Sequence, residues 1–262
     1  MKKIFALTAI AALFFSSCKK DDTATDENGS IMLHFDNVAG TSDLALNTGV
    51  YTNATGQNFT VTTFNYYISN IKLKRADGSE YVVPQDKSYF LVKESDAASQ
   101  EIELNDIPSG DYKGVTFTVG VDSLRSTANI SQRTGVLDPG AGGSGMYWDW
   151  NSGYIFMKLE GTSPASGMAG NAFMYHIGGF GGMTSATINN IKTVTLNFPS
   201  DAATVRSNIT PEVHLLTDVK KVMDGPVNIS IATTPMIMFA PGSTNVSGNY
   251  RSMFIVDHVH ND

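Results

Sequence analysis

Five histidines are the side chains of this sequence best suited to bind a transition metal, since neutral imidazole nitrogen is a common ligand for copper and zinc. They are His34, His176, His214, His258 and His260. The last two flank Val259, so in an extended segment they share a face and can reach one ion. The same alternation predicts that Asp257 points to the opposite face. The C-terminal DHVH therefore predicts a metal site that contains two histidines.

The other three histidines each admit a metal-binding and a structural interpretation. His176 stands in FMYHIGGFGG, where the glycines leave the backbone open to a ligand, but a core histidine bonded to a carbonyl group also fits. His214 in PEVHLL alternates with Glu212 and Leu216, which suits a solvent-side ligand or a residue that supports one. His34 shares its face of the strand-like SIMLHFDNV with a methionine and an aspartate.

Both tryptophans of the chain stand in GMYWDWNSGY, two positions apart. If YWDW is extended, Trp148 and Trp150 point to the same face. Three uses fit this pattern: core filling, a platform of Tyr147, Trp148 and Trp150 that stacks on sugar rings, or a redox-active pair near a metal.

Several kinds of chemistry are disfavoured. The chain has a single cysteine and no CxxC, HExxH or GxSxG motif, which argues against structural zinc, metalloprotease and hydrolase sites. Net charge is −7 and the folded part has no basic cluster beyond IKLKR and VKK, so no nucleic-acid partner is expected. A binding protein is favoured over an enzyme.

The N-terminus predicts export and lipid anchoring. MKKIFALTAIAALFFSSC has two lysines, an apolar stretch and small residues before its cysteine, like a bacterial lipoprotein signal peptide. The predicted organisation is a signal peptide at 1–17, a flexible tether at 18–29 that follows an acylated Cys18, and one domain at 30–262. Acyl chains on Cys18 would hold the protein on outer-membrane lipid, facing the periplasm or the cell surface.

The elements that must position these side chains are strands. Runs rich in β-branched and aromatic residues recur, separated by Gly, Asn, Asp and Pro. A hairpin is predicted at 76–79, a glycine-rich loop at 137–145, a strand at 227–231 and two-turn helices at 124–132 and 217–225. The fold class is all-β: a single antiparallel β-sandwich domain with few short helices.

Four segments in order, MYWDWNSGYIFMKLEG, FMYHIGG, PEVHLLTDVKKVMDG and MFIVDHVHND, resemble the MbnP-like family of methanobactin-partner proteins. The resemblance implies an extracytoplasmic copper-binding β-sandwich with histidine ligands. It also implies a di-haem cytochrome-peroxidase-like partner that oxidises Trp148 or Trp150 to kynurenine. Members often carry a histidine after the Phe-acid pair of the first strand, where this chain has Asn37, and His34 stands three residues earlier.

The sequence therefore predicts a lipid-anchored protein that binds copper through histidines near the Trp-x-Trp motif. The alternative is a carbohydrate-binding surface lipoprotein that uses Tyr147, Trp148 and Trp150 as a stacking platform. The histidines favour the copper-binding hypothesis over the carbohydrate-binding one, because stacking on sugar rings does not require a cluster of His176, His258 and His260.

Overall fold

The computed structural model describes residues 27–150, 153–199 and 201–262. The signal peptide, Cys18 and most of the tether lie outside this range. The described residues form sixteen strands: β1 (Asn28–Ala39), β2 (Ser42–Asp43), β3 (Tyr51–Thr52), β4 (Asn58–Arg75), β5 (Glu80–Val82), β6 (Tyr89–Lys93), β7 (Glu101–Pro108), β8 (Gly110–Val119), β9 (Tyr147–Trp148), β10 (Gly153–Thr162), β11 (Ala172–Gly178), β12 (Lys192–Asn197), β13 (Ala203–Val205), β14 (Glu212–Asp218), β15 (Met236–Ile237) and β16 (Phe254–His260).

Helix is confined to short segments in this part of the chain. The α-helices are α1 (Ser123–Ser126) and α2 (Ser243–Tyr250), and 3-10 helices occupy Gln85–Lys87, Ala97–Gln100, Ile130–Gln132, Gly135–Leu137, Ala169–Asn171 and Val219–Val222. No described helix is both long enough and apolar enough to cross a membrane.

The strands form two sheets that pack face to face, as the sandwich prediction requires. The small sheet has the order β16-β14-β1-β7, with β2 also paired to β1. The large sheet has the order β12-β8-β4-β10-β11-β15, with five shorter strands paired to its members. Phe35 of the small sheet lies 5.6 Å from Phe117 of the large sheet between ring centroids. Most pairs are antiparallel, but β1 with β14 and β11 with β15 are parallel.

Alternation along β1 and β14 decides which side chains enter the core between the sheets. Leu33 and Phe35 of β1, and Val213 and Leu215 of β14, are fully buried. The residues between them therefore project from the outer face of the small sheet, away from the core.

A second apolar cluster covers the outer face of the large sheet. It contains Tyr67, Leu137, Met146, Trp148 and Tyr154, among others. The predicted glycine-rich loop lies here and leads into β9. Tyrosine hydroxyls hold the start of this loop on the sheet, since Tyr67 donates to the carbonyl of Val136 and Tyr154 to that of Leu137, each at 2.7 Å.

Some local predictions were wrong. Residues 227–231 form no strand: they contain a bend, an isolated bridge from Asn228 to Asp224 and the start of a turn. The two-turn helix predicted at 124–132 is instead α1 followed by the 3-10 helix Ile130–Gln132. The one predicted at 217–225 is reduced to the 3-10 helix Val219–Val222. The longest helix of the described residues, α2, was not predicted. The hairpin at 76–79 is confirmed.

Candidate metal centre

Three adjacent strands of the small sheet place one histidine each at the same level. His34 on β1 pairs with His214 on β14, and His214 pairs with His258 on β16. The ring centroids of His34 and His214 are 4.9 Å apart, and those of His214 and His258 are 4.8 Å apart. His260 lies two residues further along β16, 4.5 Å from His258 between ring centroids. These four residues form a continuous group on the outer face, here called the four-histidine cluster.

Carboxylates surround the four-histidine cluster. Glu212 Oε1 lies 3.1 Å from His34 Nδ1, which leaves the other nitrogen of that ring available. Such a carboxylate partner fixes the tautomer and orientation of a metal-binding imidazole. On β7, Glu101 pairs with His34 and Glu103 with Met32, so acidic side chains extend the same face. The negative potential of this surface favours cations.

Asp257 belongs to this face, and the prediction that it points away from His258 is wrong. The β14–β16 register shifts between His214 and Leu215, which pair with His258 and Val256, so Asp257 is the extra residue of a β-bulge. A bulge breaks alternation and re-aims a side chain. Asp257 Oδ2 thereby lies 2.7 Å from His258 Nδ1 and 3.6 Å from His214 Nδ1.

His214 lies at the centre of the cluster, with His34 and His258 on either side of its ring. Asp36 Oδ2 lies 3.6 Å from its Nε2, and Asp257 Oδ2 lies 3.6 Å from its Nδ1. Both separations exceed hydrogen-bond length, and Nδ1 is buried without a hydrogen-bond partner among the described residues. Burial, and then the neighbouring His34, lower the pKa of His214, so its neutral, ligand-competent form is favoured.

The residues present fit a transition-metal ion. Ligand atoms of His214, Asp257 and His258 all lie within 4.8 Å of one another. A buried nitrogen that lacks a hydrogen bond is costly, and coordination to an ion would satisfy it. Imidazole nitrogen with carboxylate oxygen is a donor set used for copper and zinc.

His176 does not join the four-histidine cluster. It lies on β11 of the large sheet, opposite Lys158 of β10, and its Nε2 is 2.7 Å from Glu160 Oε1. Lys158 Nζ lies 3.5 Å from the same carboxylate oxygen and donates to the carbonyl of Gly145 in the glycine-rich loop. Burial lowers the pKa of His176, although Glu160 opposes this shift. The expected grouping of His176 with His258 and His260 is therefore not formed.

The two tryptophans are in contact but differ in exposure. Trp148 ends β9 and is 5% exposed, whereas Trp150 lies in the following turn and is 64% exposed. Their ring centroids are 5.2 Å apart. Trp148 packs over Gly178, where a Cβ atom would lie 2.6 Å from Trp148 Cζ3. Because only Trp150 of the pair is exposed and Tyr147 is half-buried beneath Arg133, the predicted three-ring sugar platform is not formed.

The structure does not bring the Trp motif to the four-histidine cluster. Trp148 belongs to the apolar cluster on the outer face of the large sheet, whereas His214 projects from the outer face of the small sheet. Both sheets and the core lie between them, and the spacing of packed sheets alone is about 10 Å. His176 is the histidine on the same side as Trp148.

Asn37, which stands where family members often carry a histidine, is an interior residue. Its Oδ1 accepts from the Tyr66 hydroxyl at 2.9 Å, and its Nδ2 donates to Glu94 at 3.0 Å. The polar atoms of Asn37 are thus engaged between the sheets, away from His34, which projects outwards three residues earlier.

Comparison with known proteins identifies the family. The MbnP family model matches residues 28–239. Among solved structures, MbnP from Methylosinus trichosporium is similar at 16% sequence identity, with 77% of this chain and 80% of that chain covered and a TM-score of 0.49. A comparison with curated proteins finds no significant match. His258 and His260 lie beyond the matched residues. Because the family model spans most of the chain, this protein belongs to the MbnP family.

Proposed function

We propose that this protein binds copper at the four-histidine cluster and acts as an extracytoplasmic copper-binding protein without catalytic turnover. The observation that carries the proposal is the alignment of His34, His214 and His258 on three adjacent strands, with the Nδ1 atom of His214 buried and unpartnered. Three imidazoles in register on a rigid sheet are held close together before any ion arrives.

Copper is the metal that this donor set and the family favour. A site of nitrogen and oxygen ligands binds Cu(II) more tightly than Zn(II) or Ni(II), following the general order of stability for divalent ions. Family membership supports copper over zinc. An ion bound here would lie beside His214, Asp257 and His258, whose ligand atoms are within 4.8 Å of one another, and His34 and His260 would adjoin it.

The proposed location follows from the N-terminal sequence. Acylation of Cys18 would anchor the protein in outer-membrane lipid, and the polar tether that follows would hold the domain off the surface. The domain would then meet copper outside the cytoplasm. Labelling of the mature chain with a radioactive fatty acid, lost in Cys18→Ser, tests the anchor.

Oxidation of a tryptophan by a di-haem peroxidase-like partner is a second part of the proposal, at a separate place on the molecule. Oxidation would cleave the C2–C3 double bond of the indole and add two oxygen atoms, supplied by one O2 or two hydrogen peroxide molecules that the haem partner would activate, to give N-formylkynurenine. Hydrolysis by one water would then release C2 as formate and leave kynurenine. The 64% exposed Trp150 is accessible to a partner, and its ring contacts the buried Trp148. Intact masses for both tryptophan peptides from the native host would contradict this part.

Metal retention tests the copper proposal. Chains carrying Cys18→Ser, which removes the lone thiol, are loaded with equimolar copper and zinc and dialysed. We expect close to one tightly held copper per chain, and loss of it in a His214→Gln, His258→Gln double variant. His176→Gln is the matched control and should keep its copper. No retained copper in the parent, or equal loss in the control, would contradict the assignment.

A further inference from the structure

A polar cleft lies between the 3-10 helix that precedes β6 and the segment that joins β8 to the glycine-rich loop. Its volume is about 630 Å³, within the range of about 300–1,000 Å³ that is usual for small-molecule sites. It is lined by Gln85, Asp86, Leu124, Arg125, Asn129 and Gln132, among others. Asp86, Arg125 and Gln132 also line a second cavity of about 240 Å³, so the two spaces meet at these residues.

Arg125 is held in the cleft by its neighbours. Its guanidinium lies over the ring of Tyr89, 5.1 Å from the ring centroid, and Nη1 donates to the carbonyl of Gln132 at 3.2 Å. Its backbone N–H donates to Asp122 Oδ1 at 3.0 Å. The other oxygen of Asp122 accepts from the Tyr89 hydroxyl and from Gln85 at 3.1 Å. Because the arginine is positioned before a ligand arrives, binding costs less conformational entropy.

The positive charge of Arg125 has no counterpart in the described part of the protein. Its guanidinium forms no ion pair with a described carboxylate, whereas Arg206, for example, pairs with Asp111 at 3.0 Å. The whole chain carries a net charge of −7, so acidic side chains are in excess. A guanidinium presents a planar fork of N–H donors that matches a carboxylate. The cleft therefore suits a ligand that carries a carboxylate.

Unbonded polar side chains surround this arginine. Asn129, Gln132 and Asp86 all line the cleft, and their side chains make no hydrogen bond to any described residue. Amides both donate and accept and a carboxylate accepts, which matches hydroxyl groups that do both. Leu124 is 71% exposed at the same cleft and offers an apolar contact. A sugar ring has these features together, since it carries hydroxyls around its edge and C–H groups on its faces.

We propose that this cleft binds an acidic saccharide, with the sugar carboxylate at Arg125 and sugar hydroxyls at the free amides of Asn129 and Gln132. Asp86 disfavours a ligand of concentrated negative charge such as a phosphate, because like charges in one cleft repel. Recognition here uses hydrogen bonds, unlike the three-ring stacking platform that is not formed. The proposal does not depend on copper binding, because no residue of the four-histidine cluster lines the cleft.

Isothermal titration calorimetry of the full-length, detergent-solubilised chain carrying Cys18→Ser tests the proposal. Digalacturonate is compared with the neutral galactose disaccharide of the same linkage. We expect digalacturonate to bind at least about tenfold more tightly, the factor typical of a charge-assisted hydrogen bond. Arg125→Gln should reduce its affinity to that of the neutral disaccharide. Arg251→Gln, at an exposed arginine that likewise forms no ion pair with a described residue, is the matched control and should bind like the parent.

A second variant keeps the test valid if Arg125→Gln disturbs the fold. The side chains of Asn129 and Gln132 bond to no described residue, so replacing both with alanine should leave the circular dichroism spectrum and the melting temperature unchanged. The same double variant should weaken digalacturonate binding by about tenfold or more. No binding of digalacturonate to the parent, equal affinity for the two disaccharides, or unchanged binding in the double variant would overturn the proposal. Free glutamate binding as tightly as digalacturonate would overturn the assignment to a saccharide.

Discussion

Trp148 should be a structural anchor of the outer apolar cluster, and its truncation should cost several times more than that of its neighbour. A tryptophan side chain covers about 200 Å² when buried, and Trp148 is only 5% exposed, so burial at about 25 cal/mol per Å² stabilises the fold by about 5 kcal/mol. Measured losses for buried aromatic residues replaced by alanine are about 3–5 kcal/mol. Trp150, at 64% exposure, should lose less than about 2 kcal/mol by the same area relation.

Urea unfolding of Trp148→Ala and Trp150→Ala, followed by circular dichroism, measures both free energies directly. In thermal unfolding the Trp148 variant should melt roughly 6–20 °C below the parent, since each kcal/mol shifts a domain of this size by about 2–4 °C. Similar losses for the two variants would refute the argument, because the burial difference on which it depends would have no energetic consequence.

Three further predictions concern the packing and titration of other sites. Gly178→Ala should destabilise the fold by about 1–3 kcal/mol, because a Cβ atom there would lie 2.2 Å from the backbone oxygen of Tyr154 and 2.6 Å from Trp148 Cζ3, whereas Gly167→Ala, with open space around it, should be near neutral in the same urea titration. Tyr66→Phe should cost about 1–3 kcal/mol, measured likewise, since it leaves the buried Asn37 Oδ1 without its donor; an unchanged midpoint would contradict the observed hydrogen bond. Because burial lowers the pKa of His176 in the folded state, the unfolded chain binds more protons below about pH 6.5, so stability should fall as pH drops from 7.5 to 5.5, and His176→Gln should reduce that fall.

The sandwich, and the face that His34 and His214 share with polar neighbours, are consistent with alternation along their strands. In SIMLHFDNV and PEVHLL, His34 and His214 alternate with Ile31, Leu33 and Phe35 and with Val213 and Leu215, and the structure shows that these apolar residues form the buried face. The pairing of β1 with β14 did not follow, because these strands are separated by most of the chain and their parallel register is set by tertiary packing. That register is what brings His34 beside His214.

The orientation of Asp257 could not be predicted from the alternation of side chains along a strand, because Asp257 lies in a β-bulge. A bulge depends on the match between two distant strands, and nothing in FIVDHVH marks its position. His176 illustrates the opposite error, since its glycine-rich surroundings suggested a ligand site shared with His258 and His260. The glycines instead admit the ring of Trp148 over Gly178, and Glu160 occupies a nitrogen of His176.

The rings of Trp148 and Trp150 are neighbours, but YWDW is not extended as predicted and the two rings differ in exposure. β9 ends at Trp148, and the turn that follows carries Trp150 outwards while a glycine of β11 leaves room for the first ring. Strand length of two residues is not visible in the sequence, because it depends on where β10 begins to pair.

The location of the copper ion tests the account most directly. Crystals of the copper-loaded chain, measured on both sides of the copper absorption edge, give an anomalous signal at the ion itself. We expect one peak on the outer face of the small sheet, within ligand distance of His214 and His258. A peak beside His176 and Trp148, on the outer face of the large sheet, would contradict it.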